Sequence, residues 1–342
     1  MNAVNSRFAV LRGWITEPMV VAFLIFGSVP WWIEAVGLYP YLGVEILVFC
    51  IFALGFNVLF GTTGLPSFGH GTYLGIGAYA MGLTQFHLVP NLWLGLLAAT
   101  LTAAAFGAVV ALFIAHRRGI YFALMTIAFG QLFFFIASKW ASVTKGEDGL
   151  LNIKRLPADF GFVSFPLRGN AALYWFTFAC FVAVVLLLWR LVNSPFGRVL
   201  QGIRENPFRA EALGYRTIVY RSIVNCLAAA MATLAGVLSA LWLRYTGPAV
   251  TLSFDIMLDI LLMVVIGGMG TLYGAVIGAT IFILAENYLQ AFMGAVSKSM
   301  AALPVLPQLF HPDRWLLWLG VLFILSVYFF PSGIAGKLAA RK

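Results

Sequence analysis

The sequence predicts an all-α polytopic membrane protein with about ten transmembrane helices, and three observations carry that prediction. The 342 residues are 62% hydrophobic and only 10% charged, with a mean hydropathy of +0.96, far too apolar for a water-soluble domain. Apolar runs long enough to cross a bilayer, which takes about 20 residues at a rise of about 1.5 Å each, recur along the whole chain. Between them Lys and Arg gather in alternate loops, as the positive-inside rule requires of a multi-spanning protein.

In chain order the apolar segments are 19–35, 42–60, 66–84, 92–115, 120–138, 171–190, 219–243, 254–268, 273–293 and 314–331. The opening stretch MNAVNSRFAVLRGWITEP lacks the h-region and cleavage site of a secretory signal and carries Arg7 and Arg12, so the first helix is expected to be its own insertion signal. With 1–18 in the cytoplasm, alternation puts Arg7, Arg12, the HRRG turn at 116–119, the loop 190–221 and the tail 332–342, with Lys337, Arg341 and Lys342, on one side. Those pieces hold 13 of the 21 Lys and Arg residues. The formal charge of +9 therefore reflects cytoplasmic loops and not a nucleic-acid partner. The outer loop 139–170 alternates turn residues with short β-prone pieces such as FGFVSF, which suits a small hairpin or irregular cap. No linker or separate soluble domain interrupts the chain, which reads as a single transmembrane domain over 1–342.

The third segment, within NVLFGTTGLPSFGHGTYLGIGAYAMG at 57–82, holds seven glycines. Gly71 and Gly75 are four apart, as are Gly270, Gly274 and Gly278 in the later GGMGTLYGAVIGA; small residues at that spacing let two helices approach closely in lipid, where packing drives association. The two clusters fall in corresponding places of two five-span halves, which predicts an inverted five-plus-five repeat of broken or closely packed helices, with a substrate pathway at its interface. The backbone at 61–66 is expected to be unwound beside that pathway, with Ser67, His70 and Tyr73 as lining candidates.

The loop WRLVNSPFGRVLQGIRENPFRAEALGYRTIVYR carries six arginines and two glutamates. Asn206 can cap a helix, Pro207 suits its first position, and Gly214 can take the left-handed conformation that ends it, so Pro207 to Leu213 is expected to be a short helix. Ahead of it SPFGRVLQGIRE offers a second helical piece with Val199, Leu200 and Ile203 as an apolar face. Two short helices at an angle make a docking element.

Four stretches in order, GTTGLPSFGHGTYLGIGAY, RRGIYFALMTIAFGQ, SPFGRVLQGIRENPFRAEALGY and MVVIGGMGTLYGAVIGA, resemble the membrane permease subunit of ABC importers for branched-chain amino acids, the LivM type, over about residues 42 to 290. The resemblance implies that the cytoplasmic loop docks in a groove of an ATPase subunit through Gly197, Arg198, Arg204, Glu205, Pro207, Glu211, Ala212 and Gly214. It implies a second permease subunit, two ATPase subunits that bind ATP and Mg, a periplasmic substrate-binding protein, and a place in the bacterial inner membrane with both termini cytoplasmic. The family often has glutamine and an apolar residue where Leu65 and Pro66 stand here.

No phosphate-binding G-x-x-x-x-G-K-[ST] occurs, so no cofactor is expected on this chain. His70, His87, His116 and His311 are scattered, and Cys50, Cys180 and Cys226 sit inside apolar runs as packing residues, which leaves no metal-site spacing. Nucleophile motifs are missing, so an enzyme is not expected. Acidic residues within spans are functional candidates by default: Glu45, Asp255, Asp259 and above all Glu286, placed with the pathway. Such carboxylates would also suit a proton- or cation-coupled secondary transporter, the rival reading. Transport by this chain alone, driven by an ion gradient, would separate the two.

Overall fold

The computed structural model describes residues 18–33, 36–39, 41–114, 120–159, 164–299, 310–330 and 333–339. Arg7, Arg12, the HRRG turn with His116, the first four residues of FGFVSF, Arg341 and Lys342 lie outside the described residues. The helices are α1 (Pro18–Trp32), α2 (Leu42–Thr63), α3 (His70–His87), α4 (Leu92–Ile114), α5 (Ile120–Lys139), the single turn α6 (Ala141–Thr144), α7 (Asn170–Val192), α8 (Pro195–Glu205), α9 (Pro207–Ala212), α10 (Thr217–Leu243), the turn α11 (Pro248–Thr251), α12 (Phe254–Gly267), α13 (Leu272–Ser299), α14 (Trp315–Phe329) and α15 (Gly333–Ala339).

Each of the ten apolar segments contains a helix, and eight stretches among the described residues are long and apolar enough to cross a membrane. The other two fall short for separate reasons. Helix α1 has 15 described residues, and the 18 residues of α3 are diluted by glycine, threonine and histidine. Dilution is tolerable in α3 because most of its side chains face protein, not lipid.

The helix ends collect in two groups. One joins the end of α2 to α8 and to the α12–α13 turn, where Arg204 Nη1 donates to the Gly61 carbonyl and the Asn57 amide pairs with Gly270 and Thr271; there too the Tyr273 hydroxyl donates to Ala335 O of α15 at 3.3 Å. The other joins the outer loop to α3, α4, α7 and α10. Gln85 exchanges two hydrogen bonds with the Lys154 backbone at 2.9 and 3.1 Å, and Trp93 Nε1 donates to Asp159 O at 2.6 Å. Helix α10, with 27 residues, runs from one group to the other, a distance of about 40 Å at about 1.5 Å per residue. That is enough to cross a bilayer, and the alternation of ends fits ten crossings.

The core is built around α2, which is buried along nearly its whole length and apolar on all sides, as a helix enclosed by other helices must be. Helix α10 presses on it and on α3, while α13 and α7 flank it, and α14 lies at the periphery with most of its surface open to lipid. The outer cap consists of two short ladders, β1 (Leu150–Leu151) with β4 (Tyr245–Thr246) and β2 (Ala158–Asp159) with β3 (Ser164–Phe165). Arg155 fastens it: its guanidinium donates to Leu241 O at 3.2 Å, to Trp242 O at 3.3 Å and to Asn170 Oδ1 at 2.7 Å. Burial and the neighbouring Arg244 push its pKa below the ordinary value, which is why such a group needs several acceptors.

Helix α2 runs on to Thr63, beyond the expected unwinding at 61–66, because the Thr62 and Thr63 hydroxyls bond back to Val58 O and Leu59 O and only Gly64, at φ 69°, takes the left-handed ending. The break therefore spans 64–69. From there the chain doubles back into the bundle, since the His70 ring at the start of α3 stacks on Phe52 of α2 at 5.6 Å. Irregular backbone at that depth is viable only when enclosed by protein. The Phe68 N–H accordingly donates to Thr126 Oγ1 of α5 at 3.0 Å.

Candidate functional site

The α8–α9 loop is a capped, two-helix element. Ser194 Oγ accepts the Gly197 N–H at 3.3 Å to start α8, and Asn206 Oδ1 accepts the Arg209 N–H at 3.0 Å to start α9. Gly214, at φ 90°, ends it. Leu200 and Ile203 bury the inner face of α8. Between the two helices lies a groove of about 410 Å³, lined by Arg198, Val199, Glu205, Arg209, Leu213 and Tyr215. Phe208 and Leu213 are each 72% exposed beside it, an apolar pair among charges on a surface that would otherwise face water.

The eight expected docking residues divide in this geometry. Arg198 and Glu205 line the groove, Ala212 is exposed on α9, and Pro207 and Gly214 shape the ends of α9. The other three each make a contact within the chain, with Arg204 and Glu211 still exposed. Gly197 lets α8 start against the end of α7, where a β-carbon would come within 2.6 Å of Leu191 O. Glu211 Oε1 accepts from the Thr217 hydroxyl at 2.6 Å, which fixes the start of α10. Arg204 reaches the carbonyl of Gly61 on α2.

Of the expected pathway residues, Ser67, His70 and Tyr73 come together where the 64–69 segment meets α3, and all three are buried. Ser67 and Tyr73 border a cavity of about 10 Å³ with Thr72, Thr126 and Phe106, room for about one water. His70 is boxed by Phe52, Phe56 and Tyr73, and neither of its ring nitrogens has a hydrogen-bond partner among the described residues. Asn225 Nδ2 donates to the Tyr73 hydroxyl at 3.3 Å, while its Oδ1 has no hydrogen-bond partner among the described residues. For His70 to line an aqueous path, the Phe52 ring must move off it. Glu286 stands apart from this group, on α13, close enough to Glu45 and Asp259 to interact with both; beside it Asn287 Nδ2 donates to Glu45 Oε2 at 3.3 Å.

The glycines also divide. At Gly278 a β-carbon would stand 2.8 Å from the Gly267 nitrogen, and at Gly274 it would stand 2.7 Å from Gly268 O, so α12 and α13 touch backbone to backbone. At Gly75 it would meet Leu252 and Thr251. Gly270 does not share the helix face expected of it: with φ 87° it forms the turn before α13, a conformation that favours glycine. Gly71 has only ordinary contacts, with Ile256 no nearer than 3.8 Å.

A family model described as "Branched-chain amino acid transport system / permease component" matches residues 41–327. The chain belongs to this permease family. Among its relatives, the high-affinity branched-chain amino acid permease LivM of Salmonella typhimurium is 27% identical, across 78% of this chain and 67% of its own length. The probable LivM of Methanocaldococcus jannaschii is 27% identical, over 84% of this chain and 90% of its own. The permease LivH of Escherichia coli is 23% identical over 86% and 93%. No solved structure matches the chain.

Some residues that organise this permease were not singled out by its sequence. Asn57 is almost fully buried in α2, where its Oδ1 accepts the Gly270 N–H at 2.8 Å and its Nδ2 donates to Thr271 O at 3.0 Å. The signal was a lone amide in an apolar run, a polar group that needs internal partners there. Gly77 and Gly236, where β-carbons would stand 2.9 Å from Thr233 Cα and 3.0 Å from the Ala78 nitrogen, join α3 to α10 without a regular spacing to reveal them.

Proposed function

We propose that the chain is the permease subunit of an ATP-driven importer, and that its α8–α9 element docks in a groove of an ATPase subunit. The observation that carries this reading is the capped pair of short helices with exposed Phe208 and Leu213 beside Arg198, Glu205 and Arg209, lying where α7 ends and α10 begins. A rigid, charged and partly apolar knob is costly to leave in water and well suited to a socket. Arg-rich loops on this side also agree with a cytoplasmic location for both termini, in a bacterial inner membrane.

The rest of the reading follows from that dock. Relatives named LivM and LivH are both similar to this chain, which supports a pair of permeases with the pathway between them and two ATPases beneath. ATP and Mg would be held by those ATPases. A periplasmic binding protein would deliver the solute to the cap around Arg155, and branched-chain amino acids or a related small polar solute are the cargo that the relatives' names favour. ATP-driven closure of the ATPases would draw the docking loops together and exchange an outward for an inward opening.

Purification from native membranes through a tag on this chain tests the reading. ATPase subunits, a second permease and a binding protein should accompany it. A chain that purifies alone and carries out solute uptake on a proton or sodium gradient would instead favour the carboxylates Glu45, Asp259 and Glu286 as the coupling device of a secondary transporter.

A further inference from the structure

We infer that Arg204 is the positioning residue through which movement of the docking loop reaches the membrane body, acting within the chain and not as a contact to the ATPase. Arg204 sits in the last turn of α8, one residue before groove-lining Glu205. Its Nη1 donates to Gly61 O, one of the carbonyls at the end of α2 that lack an intrahelical partner. A cation there also meets the negative end of the helix dipole.

Three glycines make room for the side chain. A β-carbon at Gly64 would lie 3.3 Å from Arg204 Cγ, and one at Gly270 would lie 3.2 Å from Nη1. At Gly61 it would lie 2.6 Å from the Gly270 nitrogen, so the end of α2 and the α12–α13 turn are in backbone contact under the guanidinium. Asn57 then ties that turn to α2 through Gly270 N and Thr271 O. The guanidinium thus bears on a rigid junction: a displacement of α8 is passed to α2, the enclosed helix of the core, and through the Asn57 amide to the hairpin of α12 and α13. Gly64 is also where the chain leaves α2 for the irregular segment leading to His70, so the same junction adjoins the break at 64–69.

This inference rests on the ATP-driven reading above. The test uses the complete complex in lipid vesicles, with solute uptake and ATP hydrolysis measured together. The wild type should require ATP. In Arg204→Gln the ATPases should still co-purify, while solute moved per ATP hydrolysed falls about tenfold. Arg204→Lys, whose ammonium can still reach Gly61 O, should recover at least a third of the wild-type ratio, and Gln201→Ala on the exposed side of α8 should keep it. A static helix cap would lower stability without changing that ratio.

Wild-type uptake that ignores ATP would overturn the importer reading and this inference with it. ATP-driven uptake with an unchanged ratio in Arg204→Gln would overturn this inference alone, as would loss of the ATPases from the complex, which would make Arg204 a docking contact. Where Arg204→Gln does not assemble, the ratio is read on Arg204→Lys, and a value below a tenth of wild type or a complex that also fails to assemble counts against the inference.

Discussion

At Gly278 the backbones of α12 and α13 are already in contact, and any side chain must push them apart. Gly278→Leu should cost about 2–3 kcal/mol, in the range of overpacked cores, seen as a lower melting temperature in detergent. Gly71→Ala should stay within about 0.5 kcal/mol of wild type, because its neighbours stand at ordinary distance. The four-residue spacing was legible in the sequence and identified Gly274, Gly278 and Gly75 as small for a packing reason; it could not show that Gly270 lies in a turn, since a left-handed φ leaves no trace in spacing. Asn57 makes a second test. Asn57→Ala leaves the Gly270 N–H and the Thr271 carbonyl without their partner at a part-buried junction, which should cost about 1–2 kcal/mol. A melting temperature equal to that of the wild type would mean that water or another group satisfies both.

Helix α9 has six residues, far too few to be stable alone, so its caps matter more than its interior. Asn206→Ala removes the acceptor of the Arg209 N–H and should cost about 1 kcal/mol locally; Gly214→Val forces a β-branched residue into φ 90°. Both should leave the chain in the membrane and lower ATP-coupled uptake, with Gly214→Val the more severe, and normal uptake in both would remove α9 from the docking role. This element was legible because caps are local: an Asn-Pro start and a Gly end act within a few residues. The break before α3 was legible only in part. Gly64 and Pro66 announce it, but its position depends on threonine hydroxyls bonding back along α2 and on Thr126, far away on α5, accepting no less than a loop N–H. Nor does the sequence show that Arg155 crosses from the outer loop to the end of α10, because nothing local requires it.

For the whole molecule, hydropathy and the side bias of Lys and Arg yield the number and alternation of helices, because the bilayer imposes both on the chain. They do not yield depth. That α2 would be enclosed while α14 faces lipid follows from which helices meet, since both are apolar enough in sequence to cross a membrane. The pathway suffers most from this: Ser67, His70 and Tyr73 converge inside the bundle, whereas Glu286 joins Glu45 and Asp259 elsewhere. The account as a whole depends on energy arriving from outside the chain through α8 and α9. The most direct measurement is solute uptake into vesicles holding the purified complex, with ATP or an ion gradient supplied in turn, for the wild type and for Glu205→Arg, which reverses a charge in the docking groove. Uptake should follow ATP alone and fall at least tenfold in Glu205→Arg while the variant stays membrane-inserted. Uptake sustained by a proton or sodium gradient without ATP, or unchanged in Glu205→Arg, would contradict it.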